Sequence, residues 1–183
     1  MPQQSPMTPE QYAAMEPDKV LFTMRIIAIA LIVGVLTFGG IASFIVFGMA
    51  QPVQPPVGRK NAAEILMYLG LAGAALMVVV SFVIPNLLAN GIVKGVVKLV
   101  QNATSAGSKE LFSRLLMAAQ VRMIVALAFI EGAAFFNLLV AFIVARSLIS
   151  LAIVAGLLVV MAIHFPTKMK LARWLEEQQR ALS

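Results

Sequence analysis

The sequence predicts an all-α integral membrane protein with four transmembrane helices and a helical hairpin, cytosolic or interfacial, between the second and third spans. Three observations lead there. Hydrophobic residues make up 61% of the 183 and charged residues only 12%, too few to give a soluble domain its polar surface. The apolar residues gather into four runs of roughly 20, each long enough at ~1.5 Å per residue to cross a ~30 Å hydrocarbon core. The lysines and arginines fall almost entirely on one side of those runs, the pattern that orients membrane proteins.

Residues 1–19 read as a flexible N-terminal tail. The stretch MPQQSPMTPEQYAAMEPD carries proline, glutamine and acid and has no basic n-region, so it is not read as a secretory signal. The membrane domain is placed at residues 20–166. Its first span, residues 26–50, is uncharged and follows Lys19 and Arg25. Gly34, Gly39, Gly40 and Gly48 on it suit close approach of helix backbones. The proline-rich segment QPVQPPVGRKN is a loop on the far side. The second span, residues 65–85, carries Gly70 and Gly73 and ends at Pro85, which kinks the helix or marks its exit.

Residues 86–122 are the hairpin. Lys94, Lys98 and Gln101 share one helical face among valines, isoleucine and leucine. That amphipathic helix either lies in the head-group layer, the reading the pattern favours, or continues the second span outward. The cluster NATSAGS breaks it, placing the tip near Ala106, and Ser108 with Glu110 suits the start of the next helix. The Asn102-Ala-Thr104 sequon falls on the cytosolic side and is formal only.

The third span, residues 123–145, reads MIVALAFIEGAAFFNLLVAFIVA and is apolar or small except for Glu131 and Asn137. Arg146 and Ser147 are the turn into the fourth span, residues 147–165, since one continuous helix would be about twice the bilayer thickness. Pro166 ends it. Residues 167–183 form an amphipathic C-terminal helix, basic and then acidic, with Trp174 suited to an interface. One side of the membrane then holds Lys19, Arg25, Lys94, Lys98, Lys109, Arg114, Arg122, Lys168, Lys170, Arg173 and Arg180, the other only Arg59, Lys60 and Arg146. Both termini are therefore expected in the cytosol, and a bacterial inner membrane is the expected location.

On the third span Ala126, Ile130, Ala133, Asn137 and Ala141 fall within about 80° of arc and form a small-residue seam for helix packing. Glu131 lies about 120° from Asn137, and Arg122 is nearly opposite it on the same helix, so its partner must come from elsewhere. His164 on the fourth span is within side-chain reach in depth. Thr37 and Ser81 are further possible donors. An acid inside hydrocarbon is neutralised, partnered or used, which leaves two readings of Glu131: a hydrogen-bonded packing group, or an ion or proton site with His164.

Residues 126–143, ALAFIEGAAFFNLLVAFI, preceded by a basic residue, resemble the ion-carrying outer helix of rotary ATP synthase c subunits, where one carboxylate sits in an apolar helix beside glycine and alanine. The resemblance implies that Glu131 carries a proton and that the second and third spans are a hairpin with a cytosolic loop.

Other chemistries find no support. Without cysteine there is no disulfide framework, thiol nucleophile or cysteine metal site, and one histidine disfavours a histidine site. No HExxH, GxSxG, phosphate loop or intramembrane aspartate pair occurs. The expectation is a non-enzymatic protein with no cofactor and no metal. Lys94, Lys98, Arg114, Arg122, Lys168, Lys170 and Arg173 are assigned to the membrane surface rather than to nucleic acid. The expected partners are the lipid bilayer and homo- or hetero-oligomeric membrane proteins, with the chain a scaffold or accessory subunit or, on the second reading, an ion-translocating one. Cysteine-accessibility tagging should find Gly58→Cys and Ser147→Cys on one side of the membrane and Ser108→Cys on the other; any other grouping refutes this topology.

Overall fold

The computed structural model describes residues 17–48, 60–102, 108–143 and 148–182. Five helices carry them: α1 (Pro17–Gly48), α2 (Lys60–Asn102), α3 (Ser108–Ile143), α4 (Leu148–Ile163) and α5 (Lys168–Leu182). No strand occurs among the described residues. The tail before residue 17, the proline-rich loop, the hairpin tip near Ala106 and the turn at Arg146 and Ser147 lie outside them.

Three of the helices, α1, α2 and α3, are long and apolar enough to cross a membrane. The fourth apolar run is different. As α4 it has 16 residues, about 24 Å of rise, and it breaks before α5, which leaves at 61°. The cause of the break is local. Pro166 has no N–H to continue the ladder, and Thr167 caps α5 by accepting the Lys170 N–H on its hydroxyl at 3.3 Å.

The hairpin is built from the spans themselves. Helix α2 runs unbroken for 43 residues through Pro85 to Asn102, so residues 86–102 continue the helix of the second span and do not form a separate one. Proline removes one intrahelical bond, from residue 85 to the carbonyl of Ser81, but membrane-type helices tolerate that loss when neighbouring packing compensates, and Pro85 is buried. Helix α3 likewise begins at Ser108 and runs 36 residues. It is the most enclosed of the three long helices, with half of its apolar stretch buried against 22% and 17% for α1 and α2.

The chain divides into two compact units, one of residues 1–28, 83–125 and 165–183, the other of residues 29–82 and 126–164. In the first, Leu21 and Met24 of α1, Val93 of α2, Phe112 and Leu115 of α3 and Leu171, Trp174 and Leu175 of α5 make a core of large side chains, each at most 9% exposed. Trp174 therefore packs inside the protein, where the Arg122 guanidinium lies 6.0 Å from its ring, a cation–π distance. The apolar face of α5 covers its own chain, leaving Lys168, Lys170, Arg173, Glu176 and Glu177 outward. Two contacts tie this end to α1: Lys168 pairs with Asp18 at 2.8 Å, and Arg25 Nε donates to the Pro166 carbonyl at 3.4 Å.

The second unit buries Leu127, Ile130, Leu138 and Met161 together with smaller groups. Val35 and Ala42 of α1, Ala74 of α2, Ala133, Ala134 and Ala141 of α3 and Val154 and Leu157 of α4 are buried, while Phe44, Leu76, Val79 and Val159 point outward at 59–72% exposure, the inside-out pattern of a helix bundle whose solvent is lipid.

Removing a buried tryptophan costs about 3–5 kcal/mol. Trp174→Ala should therefore loosen α5, and limited trypsin digestion should cut at Lys170 and Arg173 faster than in the parent; unchanged cleavage would show that α5 is held by something other than this core.

Candidate functional site

The polar side chains of the second unit converge on α3. Asn137 is fully buried. Its Nδ2 donates to the carbonyl of Gly70 on α2 at 3.2 Å and to Ala133, one turn back on its own helix, at 2.9 Å. Both acceptors are carbonyls, so the amide must point its NH2 toward them. The other amide atom, Oδ1, meets no hydrogen-bond donor among the described residues. It lies against the Cα of Gly70, 2.7 Å from where a β-carbon at that position would stand. Glycine is therefore favoured at position 70 by close approach.

Ala126, Ala133 and Ala141 are buried with Asn137, as are Leu127, Ile130, Ala134 and Leu138, so the enclosed face of α3 is broader than the seam of small residues. Gly70 is buried, whereas Gly73 is half-buried with open space where a β-carbon would go.

Helix α1 packs along the opposite flank of α3. Gly34 faces Glu131, whose Oε1 lies 3.8 Å from the position of a Gly34 β-carbon, and Gly39 faces Leu138 at the same distance. Between them the Phe38 and Phe135 rings meet edge to face, 5.4 Å apart. These contacts climb both helices together, so α1 and α3 run parallel here, while the Asn137 to Gly70 bond, near the start of α2 and the end of α3, belongs to an antiparallel pair. Glu131 is half-buried and, among the described residues, has no hydrogen-bond or ion-pair partner.

The side chains expected to serve Glu131 are occupied elsewhere or turned outward. His164 is half-buried, with Nδ1 2.9 Å from the carbonyl of Val160, which places a proton on that nitrogen. Its ring packs against Phe82 at a 50° tilt, the centroids 4.6 Å apart. No bond joins it to Glu131 among the described residues. Ser81 donates to the Val78 carbonyl of its own helix at 2.7 Å, and Thr37 is exposed.

The basic residues assigned to the membrane surface all belong to the first unit. Lys94 and Arg173 are exposed, and Arg114 and Arg122 are half-buried. Lys168 holds Asp18, and Lys170 Nζ donates to the Phe165 carbonyl at 3.3 Å. Lys98 lies on α2, but its side chain falls outside the described residues. No group of three or more His, Asp or Glu side chains is arranged to hold a metal among the described residues.

No protein-family model matches the chain, and neither the curated proteins nor the solved structures compared with it include a match.

Sequence reasoning singled out Gly70, Asn137, Gly34 and Glu131 but not their pairing. The partners are 67 residues apart in one case and nearly a hundred in the other, and no local pattern carries such a distance. The pairing makes a coupled prediction. Gly70→Ala must displace the Asn137 amide and should cost about 1–3 kcal/mol, whereas in an Asn137→Ala background the same change meets no amide and should cost at least about 1 kcal/mol less. Thermal unfolding in detergent micelles, followed by circular dichroism, measures both; additive losses would refute the contact.

Proposed function

We propose that the chain is a polytopic membrane protein acting as a non-enzymatic scaffold or accessory subunit of a membrane assembly. Three helices of spanning length support the membrane reading. The fuller reading, four crossings with both termini in the cytosol of a bacterial inner membrane, counts the bent pair of α4 and α5 as one pass and draws on the excess of lysine and arginine on one side of the apolar runs. The observation that carries the scaffold reading is the use made of buried polar groups. Asn137 holds the backbones of α2 and α3 and Ser81 bonds its own helix, so these groups fix helix packing instead of facing a substrate.

A second reading keeps Glu131 as a proton- or ion-carrying group of a translocating subunit. Its support is the half-buried carboxyl beside Gly34, which lacks a partner among the described residues and stands where the c-subunit resemblance would put the ion carrier. Proton flux distinguishes the two. Protein reconstituted into liposomes should collapse an imposed pH gradient no faster than empty vesicles; a flux that Glu131→Gln abolishes would replace the scaffold reading with the translocating one.

A further inference from the structure

Positive charge gathers in the first unit where α1 meets the start of α5. Arg25 Nε donates to the Pro166 carbonyl at 3.4 Å, Lys170 Nζ donates to the Phe165 carbonyl at 3.3 Å, and Lys168 Nζ holds Asp18 at 2.8 Å. Three cations thus meet residues 165–168, with Asp18 the acid among them. These bonds leave capacity over. Arg25 uses only its Nε–H, and its Nη groups have no partner among the described residues. The Lys168 ammonium has further N–H groups beyond its bond to Asp18, and its side chain is 70% exposed. Apolar side chains beside this charge face outward: Phe22 and Ile26 of α1 are 63% and 51% exposed, and Met169 of α5 is 77% exposed. On α1, Asp18, Phe22 and Arg25 fall within about 60° of arc, and helical side chains lean toward the N-terminus. The guanidinium therefore lies along the flank that carries Phe22 and the Asp18 to Lys168 pair.

We propose that this corner binds an anionic phospholipid, with its phosphate between the Arg25 guanidinium and the Lys168 ammonium and its acyl chains against Phe22 and Ile26. The charge selects the head group. A guanidinium fork matches two oxygens of one phosphate, and an ammonium adds a point charge beside it. A zwitterionic head group brings an ammonium of its own, which three cations repel. Free phosphate matches the charge but has nothing to lay on Phe22 and Ile26. An anionic phospholipid meets both halves of the site. The depth agrees as well, because the uncharged run of the first span begins directly after Arg25, which puts the guanidinium where hydrocarbon gives way to head groups. Asp18 competes with the phosphate for Lys168, so it limits the affinity of the site.

The inference rests on the membrane reading proposed above, and the test separates the two. Native mass spectrometry of the full-length protein, released from dodecyl maltoside micelles, counts the lipid it retains. Dioleoyl phosphatidylglycerol should stay bound as a single molecule at concentrations where dioleoyl phosphatidylcholine and inorganic phosphate leave no adduct. Arg25→Gln should weaken retention about tenfold and Lys168→Gln about threefold, through lost charge-assisted bonds to phosphate. Asp18→Asn removes the competing acid and should tighten retention about threefold, a gain that misfolding cannot produce. Arg180→Gln changes an exposed cation in the same unit, about 18 Å along α5 from Lys168, and should leave retention within about twofold. An equal adduct with phosphatidylcholine or with inorganic phosphate would overturn the site. So would a loss with Arg180→Gln as large as that with Arg25→Gln, or an Asp18→Asn protein that binds no tighter. Carbonate extraction of native membranes is read separately. Loss of the protein into the supernatant would refute the membrane reading itself, whereas extraction-resistant protein that fails the lipid comparison refutes the site alone.

Discussion

The contact between the Asn137 amide and the backbone at Gly70 is the constraint on which the apolar unit depends. Between helices of such composition the hydrophobic effect supplies little specificity, because one aliphatic surface meets another as readily as it meets lipid. A polar side chain changes that. Asn137 has two N–H groups and one oxygen to place, and in a buried setting each misplaced group costs on the order of 1–3 kcal/mol. The Gly70 and Ala133 carbonyls take the donors, and only a glycine leaves room for the oxygen. The register of α2 against α3 is set by this fit. On the opposite flank the register of α1 is set sterically, by Gly34 and Gly39 beneath Glu131 and Leu138 and by the Phe38 and Phe135 rings between them.

The other unit is held by different forces. Its core is made of Phe112, Leu115, Trp174 and Leu175, and its polar groups are cations that find carbonyls, an aromatic ring or an acid. Helix α5 is amphipathic, with Leu171, Trp174 and Leu175 buried within the unit and Lys168, Lys170 and Arg173 facing outward. The Lys168 to Asp18 pair is exposed on both sides and adds little energy on its own. It acts as a marker of where α5 lies, and the buried Trp174 supplies the hold.

Glu131 differs from Asn137, Ser81 and His164 in having no backbone carbonyl as a partner among the described residues. Asn137 and Ser81 have backbone acceptors, and His164 has the Val160 carbonyl. The glutamate has a glycine on one side and small, exposed residues on the other.

Much of the architecture was legible in the sequence because its physics is local. Apolar runs of spanning length, proline at the end of α4, Ser108 at the start of α3 and the segregation of lysine and arginine each depend on residues within a turn or two. The path beyond Pro85 was not. A single proline weakens a helix by one bond, and whether the helix survives depends on packing around residue 85, which the pattern of Lys94 and Lys98 does not report. The same holds for Trp174, whose composition suits an interface and whose place is a core, because α5 meets α1 and α3 only after folding. Local spacing and composition are enough to specify an all-helical chain with helices of membrane-spanning length and a lone acid and amide in the third. Packing between helices locks the amide to Gly70 and gives the acid no such lock among the described residues, since hydrogen-bond partners are chosen by distances between helices that no local spacing encodes.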